Sequence, residues 1–432
     1  MEKYIPGSGP SPAPTFSLDE QFGELELIGT MMQYKELGKR VIDRIGIGGS
    51  ILAMPFVYRE NVFFGCCDKN FYCLDLDGKE RWRFPTNSMV YNNHGAAFRG
   101  NVVFFTSMDG CLYAVNADSG KLLWKFKTGG PIIADPRTDQ ERVYFSSSDG
   151  NFYAVGADSG KLEWKSELGT ETGVPSVQKD RVYLSGLNGI FYCLDKSGRV
   201  IWKFRLKGEM TTHPPVISGN RIYFGSFDKI LYCLNTDGRL EWTFKCNDVA
   251  YTPVLFDGRL YFGSRDFCVY CVNAETGRLL WKFRAAGMVP IVSASGSSIY
   301  FGSWDNNVYC LNAQSGELIW KFPTRGFATG TSVHEGRVYA GSWDCNLYCL
   351  DAETGKLIWK FKTSLGTPSQ IEPPETGMLK TVEVIWSAPP EEEKDKYKTQ
   401  PGTGEYSINM SRYAVTSEYV QSSPYKARKR EF

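Results

Sequence analysis

Through most of the chain the hydrophobic positions fall into short runs separated by turn residues, and the same order of runs keeps returning. A β-branched and aromatic run of the VYFGS type is followed, across an Asp-containing turn, by a run of the LYCLD type, which predicts a β-hairpin. A second turn, AETG or TDG, leads into KLIWKF. The chain then enters another short run, as in TTHPPVISG or AYTPVLFDG, so each unit supplies four antiparallel strands. RVYFSSSDGNFYAVGADSGKLEWK from residue 142 and RVYAGSWDCNLYCLDAETGKLIWK from residue 337 are two copies of one phrase.

The phrase occurs eight times. Its fixed points are Trp82, Trp124, Trp164, Trp202, Trp242, Trp281, Trp320 and Trp359, separated by 42, 40, 38, 40, 39, 39 and 39 residues. Four strands repeating at that period predict the blades of a β-propeller. AETGKLIW (352–359), a small residue, an acidic turn, Gly and then Trp, resembles the repeat of the quinoprotein-type (PQQ-like) propeller family. The resemblance implies an all-β, eight-bladed propeller over residues 46–365 in which each Trp docks between neighbouring blades. An indole suits that place because it buries a large flat area and carries one N–H to give away. The repeat serves enzymes and non-enzymes alike, so fold does not decide function. In architecture the chain is similar to a non-catalytic branch, the propeller of the bacterial outer-membrane assembly lipoprotein; the lipid-attachment signal of that protein is absent here, so its location and role do not carry over.

Composition narrows the field. Of 432 residues, 42% are hydrophobic, 14% aromatic and 44 are glycine, which fits a folded, turn-rich chain. Forty-nine basic and 48 acidic residues leave a net charge of +1, so no global field favours nucleic acid or acidic lipid, and nucleic acid is not an expected partner. No run reaches the roughly 18 apolar residues of a membrane span. MEKYIPGSGPSPAPTF holds no apolar stretch that would serve as a secretion signal, and a cytoplasmic location is expected, with the 12 cysteines kept as thiols.

The quinoprotein dehydrogenases of the family raise an alternative: a pyrroloquinoline-quinone-dependent dehydrogenase using the axial funnel. Such enzymes place a disulfide of adjacent cysteines against the cofactor, and Cys66 and Cys67 are adjacent here. FFGCCD, however, occupies the slot of YFGSWD in other repeats, and neighbours on a strand point to opposite faces. Cys73, Cys193, Cys233, Cys271, Cys310 and Cys349 share another slot, filled by Ala114 and Ala154 in two blades. Such a slot selects for small and apolar, as at a crowded contact between blades. Cys268 and Cys271 form a C-x-x-C, but three positions apart on a strand they face opposite ways, so no zinc or other metal site is expected. Asp109, Asp149, Asp228, Asp266, Asp305 and Asp344 recur at one turn position, which assigns them to turn formation.

Two candidate sites remain. His94 and His213 each stand nine residues before equivalent second-strand positions, Val103 and Ile222, at the mouth of an inner strand. Equivalent positions around the axis include Gly173, Tyr251 and Thr329; Asn93, His94, Thr212, His213 and Tyr251 form a candidate small-ligand site in the funnel. The second candidate is a face. The variable residue before the turn Asp is Cys67, Met108, Ser148, Leu187, Phe227, Arg265, Trp304 and Trp343 around the ring, so blades five to eight present Phe, Arg, Trp and Trp in succession. Trp and Arg are the residues that anchor protein interfaces.

The chain divides into an N-terminal extension (1–45, its first fifteen or so residues Pro/Gly/Ser-rich and expected to be disordered), the propeller (46–365), and a β-rich C-terminal extension (366–432) with the charged loop PPEEEKDKYKTQPG and a basic tail. The expectation is a non-catalytic scaffold without a cofactor, holding protein partners in a multi-subunit assembly, with the quinoprotein dehydrogenase and a small-ligand sensor as alternatives.

Overall fold

The computed structural model describes residues 49–91, 94–139, 141–208 and 213–363. The predicted extensions over 1–45 and 366–432 lie outside the described residues. Thirty-two strands and no helix are found among the latter, grouped into eight four-stranded antiparallel sheets, each built from consecutive strands. Blade one comprises β1 (Phe56–Tyr58), β2 (Asn61–Gly65), β3 (Asn70–Asp75) and β4 (Glu80–Pro85), and the other seven repeat this order. All-β, eight-bladed propeller architecture is thus observed.

The two kinds of hydrophobic run have different causes. β2 is buried along its whole length and β3 everywhere but its ends, because neighbouring blades cover both sheet faces. Such strands read as continuous apolar runs. β4 is the outer edge, so its residues alternate between half-buried and exposed, and Trp82 and Phe84 take the inward positions.

Each turn Asp ties several groups together. Asp109 accepts a hydrogen bond from the Tyr113 hydroxyl at 2.7 Å, from the Cys111 amide at 3.0 Å, and from the Asn87 amide of the incoming link at 3.0 Å. Asp305 and Asp344 likewise accept from Tyr309 and Tyr348 and from the link amides of Ala286 and Arg325. The turn acids are therefore spent on geometry, as their recurrence predicts.

The small slot faces the indole. Cys73 pairs across the sheet with Trp82, Ala114 with Trp124 and Cys349 with Trp359, and the register shifts immediately afterwards in each blade. The bulge twists the outer strand and turns its Trp onto the next blade. There the indole lies on a turn glycine: a Cβ built on Gly120 would come within 2.7 Å of the Trp82 ring, and one on Gly78 within 2.6 Å of the Trp359 ring. Only a residue without Cβ permits this approach at φ +67 and +82. Seven of the eight indoles donate to a carbonyl of the following blade, among them Trp82 to Ala117 at 3.0 Å and Trp164 to Lys196 at 2.8 Å. Trp242 keeps the ring contact with Gly277, but its Nε1 has no acceptor.

The ring closes by the same device. Trp359 of blade eight donates to Leu76 of blade one at 2.8 Å, and Arg337 reaches the same carbonyl at 2.6 Å. The link joins in: the Ile51 amide donates to Ser342 at 3.1 Å, as the Val90 amide does to Cys66 at the next joint. No outer strand is borrowed to close the circle.

Removing a docking Trp leaves a void between sheets, so Trp124→Ala is expected to cost about 3–5 kcal/mol in urea denaturation. Trp359→Ala should cost the same. A much smaller loss at Trp359 would mean that something other than the indole shuts the ring. Trp82→Phe should cost about 1 kcal/mol more than Trp242→Phe, because only the former loses a hydrogen bond.

Candidate binding face

In each blade the hairpin between the second and third strands and the link into the first strand open at the same axial end, and backbone bonds pin one to the other. Met108 donates its amide to Met89, Arg265 to Val249, Trp304 to Met288 and Trp343 to Phe327, all at 3.0–3.1 Å. These bonds hold the variable positions of these hairpins beside the axis, which fixes where their side chains can lie.

On one side of the ring, Cys67, Met89, Met108, Ile133 and Leu187 form a buried apolar cluster. The other side is aromatic. Phe227 and Trp304 pack on buried Val249, Tyr251 and Met288. Trp304 lies nearly parallel to Phe327 at 5.1 Å, and Trp343 meets Phe327 at 5.1 Å and 62° and Trp304 at 5.8 Å. The two tryptophans are thus held by local packing, which their sequence positions did not suggest, and Phe327 is the residue that supplies it. Phe227, Arg265, Trp304 and Trp343 are all half-buried. The Trp343 Nε1 is buried and has no acceptor. Phe267, two positions past Arg265, is exposed at 39% with φ +71 and lies under the Arg284 guanidinium. Inspection of the position before the turn Asp alone misses it.

The funnel candidates meet on the axis. His94, leading into blade two, stands edge-on to His213, leading into blade five, with ring centroids 4.4 Å apart. His213 stacks on Tyr251 of the blade-six link at 5.1 Å, and the Tyr251 hydroxyl donates to the Met288 sulfur at 3.0 Å. Three rings therefore cross the axial channel, and Tyr251 joins them to the aromatic arc. Asn93 and Thr212 lie outside the described residues. Thr329 is used elsewhere: its hydroxyl points to the Ile51 and Ala53 carbonyls at the closing joint.

Sequence reading missed two acids and one arginine here. Asp135 is fully buried and accepts the His94 amide at 2.6 Å; Arg137 donates to the His94 carbonyl at 3.4 Å. Burial pushes the Asp135 carboxyl up to about 7 against the pull of Arg137. Burial also lowers His213 to about 4, and burial with the nearby His213 and Arg137 holds His94 well below the usual imidazole range. Glu171, in a 540 Å³ cleft between blades three and four, is raised to about 8 by burial and by Asp149. The available signal was departure from pattern, since Asp135 and Glu171 stand outside the repeated turn position.

The residues do not fit a quinone–calcium centre. Cys66 packs with Ile51, Ala53 and Tyr72 while Cys67 belongs to the axial cluster, and both are free thiols. Burial first, then Asp68, pushes Cys67 up to about 12 and Cys66 well above the normal thiol range. Cys268 and Cys271 likewise enter different clusters. Among the described residues no three His, Cys, Asp or Glu side chains are grouped to hold a metal ion. No helix among them is long and apolar enough to cross a membrane.

Comparison with known proteins places these features. The family described as outer membrane protein assembly factor BamB matches in four overlapping segments, residues 68–174, 153–252, 247–320 and 304–377. BamB from Moraxella catarrhalis superposes with a TM-score of 0.58 at 19% identity, covering 70% of this chain and 92% of that one. The computationally designed Ika8 protein gives 0.61 at 15% identity, covering 73% and 98%. Both likenesses concern the fold. Tetrathionate hydrolase of Acidithiobacillus ferrooxidans is 27% identical over 179 residues, 40% of this chain and 33% of the hydrolase. The lanthanide-dependent methanol dehydrogenase of Methylorubrum extorquens is 36% identical over 74 residues, 17% of this chain and 12% of the dehydrogenase. The chain thus spans a third or less of these two relatives.

His213 gives the face a pH signature. Between 6.5 and about 4 the unfolded chain binds a proton there that the fold refuses, so stability from neutral His213 is complete above 6.5 and lost as pH falls toward 4. Asp135 acts oppositely: its protonated form suits the fold, and its contribution fades as pH rises through 7. His213→Gln isolates the first effect. The stability advantage of the wild type over this variant should shrink by about 3 kcal/mol from pH 7 to pH 4 in urea titrations; parallel curves would contradict the assignment.

Proposed function

Because the chain belongs to the outer membrane protein assembly factor BamB family of propellers, we propose that it acts as a rigid, non-catalytic scaffold that binds a protein partner on its axial face. The observation that carries this reading is the aromatic trio Trp304, Phe327 and Trp343, packed on one another with ring centroids 5.1–5.8 Å apart on a stiff ring and left half-exposed. Aromatic rings already held by their neighbours lose little freedom on binding, and such residues dominate interface energies. Arg265 adds a cation beside the same arc.

A cytoplasmic location is part of the same proposal and is motivated by twelve free cysteines, eleven of them buried. Cell fractionation with an antibody tests it. The dehydrogenase named among the relatives motivates a direct check on catalysis: incubation with pyrroloquinoline quinone and calcium should give no bound chromophore and no dye-linked alcohol oxidation. Turnover would overturn the scaffold reading.

The partner face is tested by affinity capture of the full chain from its own cells. Trp304→Ala with Trp343→Ala should reduce recovery of stoichiometric partners about tenfold, the scale of losing one interface anchor, while the thermal transition of the ring stays cooperative. Undiminished recovery from a folded double variant removes this face as the docking site.

A further inference from the structure

The outer strands carry a pattern of their own. Aligned on their tryptophans, blades two, four, six and eight read KLLWKFK (121–127), RVIWKFR (199–205), RLLWKFR (278–284) and KLIWKFK (356–362). Blades one, three, five and seven read KERWRFP (79–85), KLEWKSE (161–167), RLEWTFK (239–245) and ELIWKFP (317–323). Every even strand has three cations at the same spacing and no carboxylate. Every odd strand has at least one carboxylate.

The structure sharpens the contrast. All twelve even-blade cations are exposed, and among the described residues only Arg199 of these has a carboxylate partner, Asp195 at 2.9 Å. In blades one, three and five an outer-strand acid is paired with an arginine, Glu80 with Arg83 at 2.8 Å, Glu241 with Arg221 at 2.7 Å, and Glu163 with Arg142, while Glu317 of blade seven accepts from the Ser315 hydroxyl. The even strands also expose adjacent aliphatic side chains, such as Leu122 with Leu123 and Leu357 with Ile358, at 45–51%, a feature shared by Leu318 and Ile319 of blade seven, so charge and not aliphatic exposure marks the alternation. Each fourth strand is terminal in its sheet, so among the described residues no strand lies beside its outer N–H and C=O groups.

Lysine on an edge strand is a common guard against unwanted strand pairing. That role does not account for the alternation, because odd blades have the same open edge and carry acids on it. A cationic, partly aliphatic edge complements an extended chain whose side chains alternate acidic and aliphatic, with backbone bonds supplying affinity and side chains the specificity. We propose that the rims of blades two, four, six and eight are docking edges for acidic, extended polypeptide segments, each added as a fifth strand. Four equivalent edges around one ring let a partner with repeated acidic segments bind at several at once.

The test uses the full chain and a fluorescein-labelled decapeptide of alternating Glu and Val, followed by anisotropy. Binding should weaken at least tenfold when salt rises from about 0.05 to 0.5 M, as exposed charges become screened. Lys125→Glu, Lys203→Glu, Lys282→Glu and Lys360→Glu together should weaken it at least tenfold. An odd-blade set with the same change in net charge, Arg83→Glu, Lys165→Glu, Lys245→Glu and Lys321→Glu, should change it less than twofold and controls for net charge. A peptide methylated on alternate amide nitrogens, with the same charge but no edge pairing, should bind at least tenfold more weakly. Equal losses from the two variant sets, or full binding by the methylated peptide, would overturn the proposal; so would polyadenylate RNA binding as tightly as the peptide. Trp304→Ala with Trp343→Ala leaves the rim intact, so peptide binding by that variant separates this inference from the axial-face reading.

Discussion

An indole laid flat on the turn glycine of the next blade is the contact on which the whole ring depends. It explains residues far apart in the repeat at once. The glycine has no Cβ because the ring occupies that space, as Trp359 does over Gly78. The cross-strand partner of each Trp is Cys or Ala because the bulge beside it leaves room for nothing larger. The turn acid binds the third-strand Tyr and the incoming link, which sets the height at which the next blade meets the first. Trp242 shows which part of the contact is indispensable: it retains the stacking and lacks the hydrogen bond, so surface burial, not the N–H, is the shared feature.

A ring held in this way pushes variation to two places. Strands sandwiched between blades must be apolar on both faces and are nearly invariant in character, whereas the axial hairpins and the outer edge strands answer to neither constraint. The axial hairpins hold Cys67 and Met108 on one side and Trp304 and Trp343 on the other, a polarity that symmetric packing does not require. The edges hold the odd–even alternation of charge. Both departures appear where the repeat leaves residues unemployed, and that is the physical ground for reading them as recognition surfaces.

The fold was legible because its determinants are local and repeated. The spacing of eight tryptophans and two kinds of apolar run were enough to give blade count, strand order and the turn role of Asp109 and its equivalents. The site was legible only in part. Positional equivalence brought His94, His213 and Tyr251 to one axial level, but not that their rings touch across the channel, since a contact between blades two, five and six has no sequence period. Phe327 escaped notice because it lies in a link, not a hairpin, and Asp135 because one acid outside a pattern looks like noise until its burial is known.

Burial also bears on the titratable groups inside the ring. A reactive thiol needs a stabilised thiolate; here Cys67, Cys73 and Cys349 are driven up to about 12 by the packing that makes them good spacers beside the indole or on the axial cluster. Neutral His94 and His213 are likewise held in their uncharged forms by their neighbours, and Asp135 is kept from ionising readily by full burial. These shifts share one cause, since burial disfavours the charged form of each group, raising the carboxyl and thiols and lowering the imidazoles. Part-buried acids with hydrogen-bond donors go the other way, as Asp139 and Asp149 do, and the exposed cations of the even outer strands stand at the opposite extreme of the blade.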